Sequence, residues 1–422
     1  MKKIFFLILI LKYISSELIY VFQLNRHGAR TDKYLHNYSL SKLYGTHRQL
    51  TINGYYQLQI LGKMFRDKYI NKLKFLHSDL NPLELEFYSS EFQRNIFSSE
   101  SFIQGLYPGT LTKVNYENKN LNKTRNIENV PINDTEFWDI TNTNINNFNI
   151  YNISINVFSL KNDKILNSFL CKYKGNSIYS LLQKIPQENL YKISNKNENT
   201  KNNLKIFANF LGINFKDFDN ISDDKILNKL ISLFETYYYH YDLNWKNLDI
   251  NIKKLYKKII FNRGFSRRFK QSKIYNLIVS GFYDELYKKI NYKLNNINSK
   301  LKYSVYTGHD FNFIDILLTL LEKDYIKKIM DDAIQNDDSF NFIFPKFSSY
   351  FVFELHKINE KYYIKIYYNG KYINPFVKNK INEENGIQAE NFMNLIKTFI
   401  YSEYLNLDCD SKKNKVKKKS DL

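Results

Sequence analysis

The chain has 422 residues, longer than an average domain but compatible with one α/β unit carrying a large insertion, and its 43% hydrophobic content is enough for a full core. A formal net charge of +20 raises nucleic acid as a partner, but the lysines are spread along the whole chain instead of gathering on one element. That argues against a nucleic-acid binder and for a generally cationic surface.

Asn, Lys, Ile, Tyr and Phe are abundant while Gly and Pro are scarce, a coding bias that strips Asn-rich and Lys-rich runs of functional weight. The N-terminus reads as a signal peptide over residues 1–16. Met1-Lys2-Lys3 is a basic n-region, Ile4 to Leu11 is an apolar h-region too short to span a bilayer, and Ser15 and Ser16 are small residues suited to cleavage before Glu17. No later segment is apolar enough to span, so the expectation is a soluble protein of the secretory pathway without stable membrane insertion. Two cysteines, Cys171 and Cys409, permit one disulfide in an oxidising compartment, with two buried thiols as the alternative that the count leaves open. Sequons at Asn37, Asn122, Asn133, Asn152 and Asn220 admit glycosylation, some arising by chance in so Asn-rich a chain.

Leu18 to Phe22 is short, β-branched and aromatic, and predicts a buried strand. Directly after it, Leu24-Asn25-Arg26-His27-Gly28-Ala29-Arg30 gathers two arginines and a histidine within five residues, with a tight turn expected at Gly28. Beyond Thr51 the spacing of Leu58, Leu61, Phe65 and Tyr69 predicts a helix over Asn53–Tyr69. Leu83 to Tyr88 alternates as a strand, and Ser89 to Arg94 leads into a helix ended by Gly105 and Pro108. This order favours an α/β fold, a central mixed sheet flanked by helices. Residues 110–268 lack the rhythm. Asn-rich loops there separate helical patterns at Leu204–Phe210 and Ile226–Tyr239, which predicts a smaller, mostly helical domain inserted between core segments 17–109 and 269–405. A helix through Ile274 and Ile290, a strand at Tyr303–Tyr306, a helix with Phe311, Ile314, Leu317 and Leu321 on one face, and a hairpin of Tyr350–Leu355 with Tyr362–Tyr367 resume it. Residues 406–422 form a basic tail, expected to be disordered.

A second stretch, Tyr306-Thr307-Gly308-His309-Asp310, also follows a strand, so both motifs belong at strand carboxyl ends, where open α/β sheets place their sites. Neutral imidazole is a nucleophile, and guanidinium forks suit a phosphate dianion. Brought together, His27 attacks phosphorus, Arg26, Arg30 and His309 hold the equatorial oxygens, and Asp310 enters as the acid that protonates the leaving alcohol, with no metal and no cofactor. Guanidinium charge keeps His27 neutral below its ordinary range, and a protonated Asp310 wants acid. The expected enzyme is an acid phosphatase. Each stretch also has a plain reading: an exposed basic loop for Arg26–Arg30, and helix capping for His309 and Asp310.

These stretches resemble the histidine acid phosphatase family, the branch of the histidine phosphatase superfamily that includes prostatic and lysosomal acid phosphatases. The R-H-G-x-R-x-P signature stands as Arg26-His27-Gly28-Ala29-Arg30-Thr31-Asp32, with Asp32 in place of proline at a turn bordering the pocket, and the H-D motif as His309-Asp310. Leu50-Thr51-Ile52-Asn53-Gly54 matches L-T-x-x-G, and Ser89-Ser90-Glu91-Phe92-Gln93-Arg94 matches S-T-D-x-x-R; Ser348 to Tyr368 resembles the family hairpin. The resemblance implies a phosphohistidine on His27, Asp310 as proton donor, and phosphate held by Arg26, Arg30, His309 and Arg94, the last an ordinary solvated arginine by spacing alone. It further implies a pocket between the α/β core and the helical domain, a Cys171–Cys409 disulfide, and a tendency to homodimers. The substrate would be a small-molecule phosphate monoester or a phosphoprotein, met outside the cell or in a lysosomal or phagosomal lumen. The middle of the chain matches only in length, helical character and Cys171.

Three rival readings stand beside this one. A secreted phosphate-ligand-binding protein without turnover is opposed by the presence of all six expected residues. Mutases and bisphosphatases of the superfamily lack the signal peptide, the insertion and the His-Asp pair. A phytase-like specialist more often carries His-Ala-Glu where this chain has His309-Asp310. His36, His47, His77, His240 and His356 show no partner pattern and receive no role; Glu91 and Gln93 read as surface, and Tyr237 to Tyr239 as packing.

Overall fold

The computed structural model describes residues 16–31, 48–116, 152–184, 205–206, 249–265, 268, 273–375 and 386–409. The helical patterns at 204–210 (bar 205–206) and 226–239, Asp32, the sequons at Asn37, Asn122, Asn133 and Asn220, residues 1–15 of the signal segment and the lysine run lie outside them. Asn152 is described and exposed.

Strand β1 (Glu17–Arg26) runs past the expected apolar stretch to the arginine itself. Its polar continuation is held inside the sheet by a hydrogen bond between Gln23 and Asn25, although the Asn25 amide nitrogen is buried without a partner among the described residues. Gln23 Nε2 donates to Asn25 Oδ1 at 2.7 Å, and the Tyr303 hydroxyl donates to Gln23. Helix α1 (Ile52–Phe65) starts at Thr51, whose hydroxyl accepts from Gly54 N at 3.2 Å, and continues as a π-helix over Arg66–Lys72 that keeps Tyr69 on the buried side. Strand β2 (Leu85–Ser90) feeds α2 (Gln93–Leu106).

Strands β3 (Leu111–Tyr116) and β4 (Asn152–Phe158) correct the expectation of a helical insertion beginning at residue 110. Both lie in the main sheet, β4 between β2 and β3. In β4 the buried Ile153, Ile155 and Val157 alternate with Ser154 and Asn156, a period-2 pattern submerged in an Asn-rich surround. The rest of the described residues there form a 3-10 turn (Ser168–Leu170), a small hairpin of β5 (Lys172–Tyr173) and β6 (Asn176–Ser177), α3 (Ile178–Lys184) and α4 (Ile250–Phe265).

The core resumes with α5 (Lys273–Asn295), β7 (Tyr303–Gly308), α6 (Asp310–Leu320), α7 (Lys323–Gln335) and α8 (Asp337–Ile343). It ends with β8 (Tyr350–Ile358), β9 (Lys361–Tyr368), β10 (Lys371–Ile373), β11 (Ile387–Gln388) and α9 (Ala389–Lys397). The β8–β9 turn places Asn359 and Glu360 at φ 47° and 62°, the left-handed pair that suits a two-residue hairpin.

The strand order is β10-β9-β8-β1-β7-β2-β4-β3, with β11 on β9. From β1 to β3 all neighbours are parallel, whereas β8 to β11 pair antiparallel, so the sheet is mixed as expected. Tyr20, Phe22 and Leu24 face a layer that includes α4, α5, α6 and α9, while Val21 faces α1 and α2. Phe22, Tyr306, Tyr88 and Phe158 stack ring on ring across β1, β7, β2 and β4 at 4.6, 4.7 and 5.4 Å, each pair adding about 0.5–1.5 kcal/mol beyond area burial. Cys171 and Cys409 form a disulfide that ties the segment after β4 to the C-terminal region. Among the described residues no helix is long and apolar enough to cross a membrane.

Candidate active site

Because β1, β7 and β2 are parallel and adjacent, Arg26, Gly308 and Ser90 end them at one edge, with Arg26 in register with Gly308. The segments leaving that edge carry all six residues singled out in the sequence, and the fold brings them together.

His27 follows β1 directly. Its N–H donates to Gly308 O at 3.2 Å and its carbonyl accepts from Ser348 N at 3.3 Å, which anchors it to β7 and to the approach to β8. The ring Nδ1 stands 2.8 Å from Gly28 O. A carbonyl oxygen only accepts, so Nδ1 holds the proton and Nε2 keeps its lone pair. Gly28 is required for close approach, not for a left-handed turn. A Cβ there would lie 2.1 Å from Gly54 O, in the first turn of α1. The neighbouring Thr51 donates from both its N–H and its hydroxyl to Ala29 O at 3.0 Å, so two motifs separated in sequence meet as one backbone unit.

Arg26 is 1% exposed, donates to Pro345 O, lies 4.3 Å above the Phe347 ring and reaches Asp310 Oδ2 at 3.4 Å. Arg30 donates to Thr31 O at 3.2 Å and bridges to Leu50. Arg94 is the second residue of α2, its guanidinium 4.4 Å above Phe92 and its Nη2 3.4 Å from His309 Nδ1. Among the described residues Arg26 Nε and Arg94 Nε are buried without a partner, so both forks retain donors for an anion. His309, not Asp310, is the N-cap of α6, and Asp310 is the first helical residue with its side chain 40% exposed.

The tautomer of His309 follows from its neighbours. Arg94 can only donate, so Nδ1 accepts and Nε2 carries the proton toward Ser90 Oγ at 3.3 Å. Ser90 Oγ also accepts from Asn95 Nδ2 at 2.6 Å, and the same amide donates to Thr307 O at 3.2 Å. Ser90 and Asn95 thus hold the ring, a function that nothing local in the sequence marks. Asn95→Asp is expected to raise the His309 pKa, because a carboxylate replaces an amide 3.4 Å from Nε2. A histidine 15N NMR titration reads this directly, and an unmoved pKa would show that Asn95 does not control the ring.

Burial first, then Arg94 and Arg26, holds His27 well below the ordinary imidazole range. Burial thus outweighs any single guanidinium, and the guanidinium charges invoked from sequence act in the same direction. His309 is lowered in the same way, by burial and then Arg94, with Asp310 opposing. Arg94 is pushed down to about 9 by burial and by Arg30 and Arg48, and so stays charged from acid to neutral pH. Arg48, exposed and left-handed at φ 56°, escaped the sequence reading. Glu91 and Gln93, read as surface, brace the site instead: Glu91 accepts from Leu160 N at 2.8 Å and Gln93 from Leu50 N at 3.3 Å. Among the described residues no cluster of three or more His, Cys, Asp or Glu could hold a metal ion.

A family model described as histidine phosphatase superfamily (branch 2) matches residues 17–369. "Putative acid phosphatase 11" of Caenorhabditis elegans is 36% identical over 94 residues, which is 21% of this chain and 22% of that protein, so the match spans about a fifth of the curated relative. Among solved structures, the apo phytase of Hafnia alvei superposes with a TM-score of 0.57 at 12% identity, covering 92% of this chain and 98% of that one. The phytase of Klebsiella sp. ASR1 gives 0.58 at 10% identity with the same coverage, and that of Citrobacter braakii 0.55 at 12%, covering 92% and 99%. At such identities the likeness is one of fold.

Proposed function

Because the chain belongs to branch 2 of the histidine phosphatase superfamily, we propose that it is an acid phosphatase, hydrolysing phosphate monoesters through a phosphohistidine on His27. The observation that carries this reading is a buried neutral imidazole whose one proton is committed to Gly28 O, set in the field of Arg94, Arg26 and Arg30. Nε2 attacks phosphorus, the P–N bond forms as the P–O bond to the alcohol breaks, and Asp310 gives its proton to the departing oxygen. Water then attacks the phosphohistidine, Asp310 takes the water's proton, and inorganic phosphate leaves. Arg26, Arg30 and Arg94 bind the non-bridging oxygens. His309 joins them from Nδ1 once it gains a proton there, which acid and the phosphate's charge both favour.

The substrate is a small-molecule phosphate monoester or a phosphorylated side chain. The Cys171–Cys409 disulfide supports an oxidising compartment, the secretory pathway and then the medium or a lysosomal or phagosomal lumen. Arg48 and the fold likeness to phytases favour a second reading, a specialist for polyphosphorylated substrates. The test is hydrolysis of 4-nitrophenyl phosphate from acid to neutral pH with EDTA present. Turnover that is greatest on the acid side and survives chelation is expected. A folded protein that binds phosphate but turns nothing over would make it a binding protein, and loss of activity with EDTA would overturn the metal-free mechanism.

A further inference from the structure

The polar groups of the site account for the phosphate and leave the surroundings of the departing alcohol unexplained. Three phenylalanines are linked to the His309 ring, directly or through one another. Phe92, just before α2, meets the His309 ring edge-on at 5.2 Å; Phe311, directly after Asp310, stacks on His309 at 5.2 Å; Phe169, in the 3-10 turn after β4, meets Phe311 edge-on at 4.1 Å. All three lie on segments leaving the carboxyl edge of the sheet, and all three are only half-buried, whereas Phe347 under Arg26 is 5% exposed. A run of aromatic contacts thus begins at the buried His309 ring and passes through Phe311, the residue next to Asp310, to Phe169, each phenylalanine keeping part of its surface in water.

Support of the His309 ring explains Phe92 and Phe311. It does not explain Phe169, whose ring meets Phe311 and rests on the small cluster around the disulfide, one ring removed from His309. The residue that touches the leaving oxygen, on the reading above, is Asp310, so the neighbouring Phe311 borders the volume the rest of the alcohol must occupy. We infer that Phe92, Phe311 and Phe169 form the leaving-group subsite and that it selects aryl phosphate monoesters, phosphorylated tyrosine side chains among them, over polyphosphorylated polyols. A planar ring gains edge or face contacts with such a wall, while a polyol bearing further phosphates would have to strip them of water against it. Arg48 and the generally cationic surface pull the other way, and the test weighs them.

This inference rests on the phosphate-site reading, so the experiment must separate the two. Inert phosphonates do so, because they bind without leaving-group chemistry. Methylphosphonate, benzylphosphonate and, as a polyanionic polyol that carries no phosphoryl group to transfer, inositol hexakissulfate are titrated calorimetrically into the wild-type protein and into Phe169→Leu, with thermal melts confirming that the variant folds. Benzylphosphonate is expected to bind about tenfold tighter than methylphosphonate, a margin set by one well-made aromatic contact, and Phe169→Leu to narrow it to about threefold or less. Equal affinities for the two phosphonates, a margin that Phe169→Leu leaves intact, or tightest binding of inositol hexakissulfate would each overturn the aryl subsite. Failure of methylphosphonate to bind at all would overturn the phosphate site itself, and the subsite with it.

Discussion

On the proposed mechanism, His27→Ala removes the nucleophile and is expected to lower kcat/KM for 4-nitrophenyl phosphate by at least about four orders of magnitude, the loss typical when a covalent catalyst loses its attacking atom. Phosphate still binds, since Arg26, Arg30 and Arg94 remain. In the wild type, quenching during turnover into base traps a phosphoenzyme that acid destroys, as a P–N bond requires; in the variant no such species forms. Stability distinguishes this loss from misfolding. The folded-state pKa of His27 is depressed, so below the ordinary imidazole range the unfolded chain binds a proton that the folded one refuses, and wild-type stability falls as pH drops through about 6.5. Alanine abolishes that contribution. The difference in Tm between variant and wild type should move in the variant's favour on acidification while activity stays absent. Residual turnover near the wild-type level, or a base-stable phosphoenzyme in the variant, would place the nucleophile elsewhere.

How much of this was legible in the sequence depends on the range of the interaction. The two motifs could be read because each is a short run attached to an apolar strand, and a parallel sheet puts such ends at one edge. Helix α1 was legible through Leu58, Leu61 and Phe65, but its π-helical continuation was not, because nothing in Arg66–Lys72 breaks the pattern. The full length of strand β1 is not legible, since Gln23 and Asn25 look like a strand end until the hydrogen bond from Gln23 to Asn25 is known. Strands β3 and β4 were lost in a region whose Asn-rich composition masks a period of two. In the site, Phe347 lies 321 residues after Arg26 and Ser90 lies 219 residues before His309, and contacts of that span leave no trace in local spacing. Asn95 is the instructive case. It sits beside an arginine that motif matching found, yet its importance comes entirely from what Ser90 and Thr307 place around it.

Asp310 should separate the two chemical steps. On the proposed mechanism it donates a proton to the leaving oxygen in the first and takes one from the attacking water in the second, so a group that can do neither impairs both. Asp310→Asn is such a group, and it keeps the size and the helix position of the original. At the first residue of α6 the lost charge costs the helix only about 0.3–1 kcal/mol, less at a side chain that is 40% exposed, so the fold should survive. For an alkyl phosphate, whose alkoxide leaves only when protonated, kcat is expected to fall by about 10²–10⁴-fold. For 4-nitrophenyl phosphate the leaving group needs no proton, so the first step is largely spared and the second becomes limiting. The variant should then release a burst of nitrophenolate equal to the enzyme present, followed by slow turnover, with phosphohistidine accumulating on His27. Equal losses for both substrates with no burst would mean that Asp310 only positions Arg26, which it meets at 3.4 Å, and that the proton comes from another group. The burst is the sharper criterion, because it requires one side chain to act twice on one intermediate, a demand that a purely electrostatic role for Asp310 does not make.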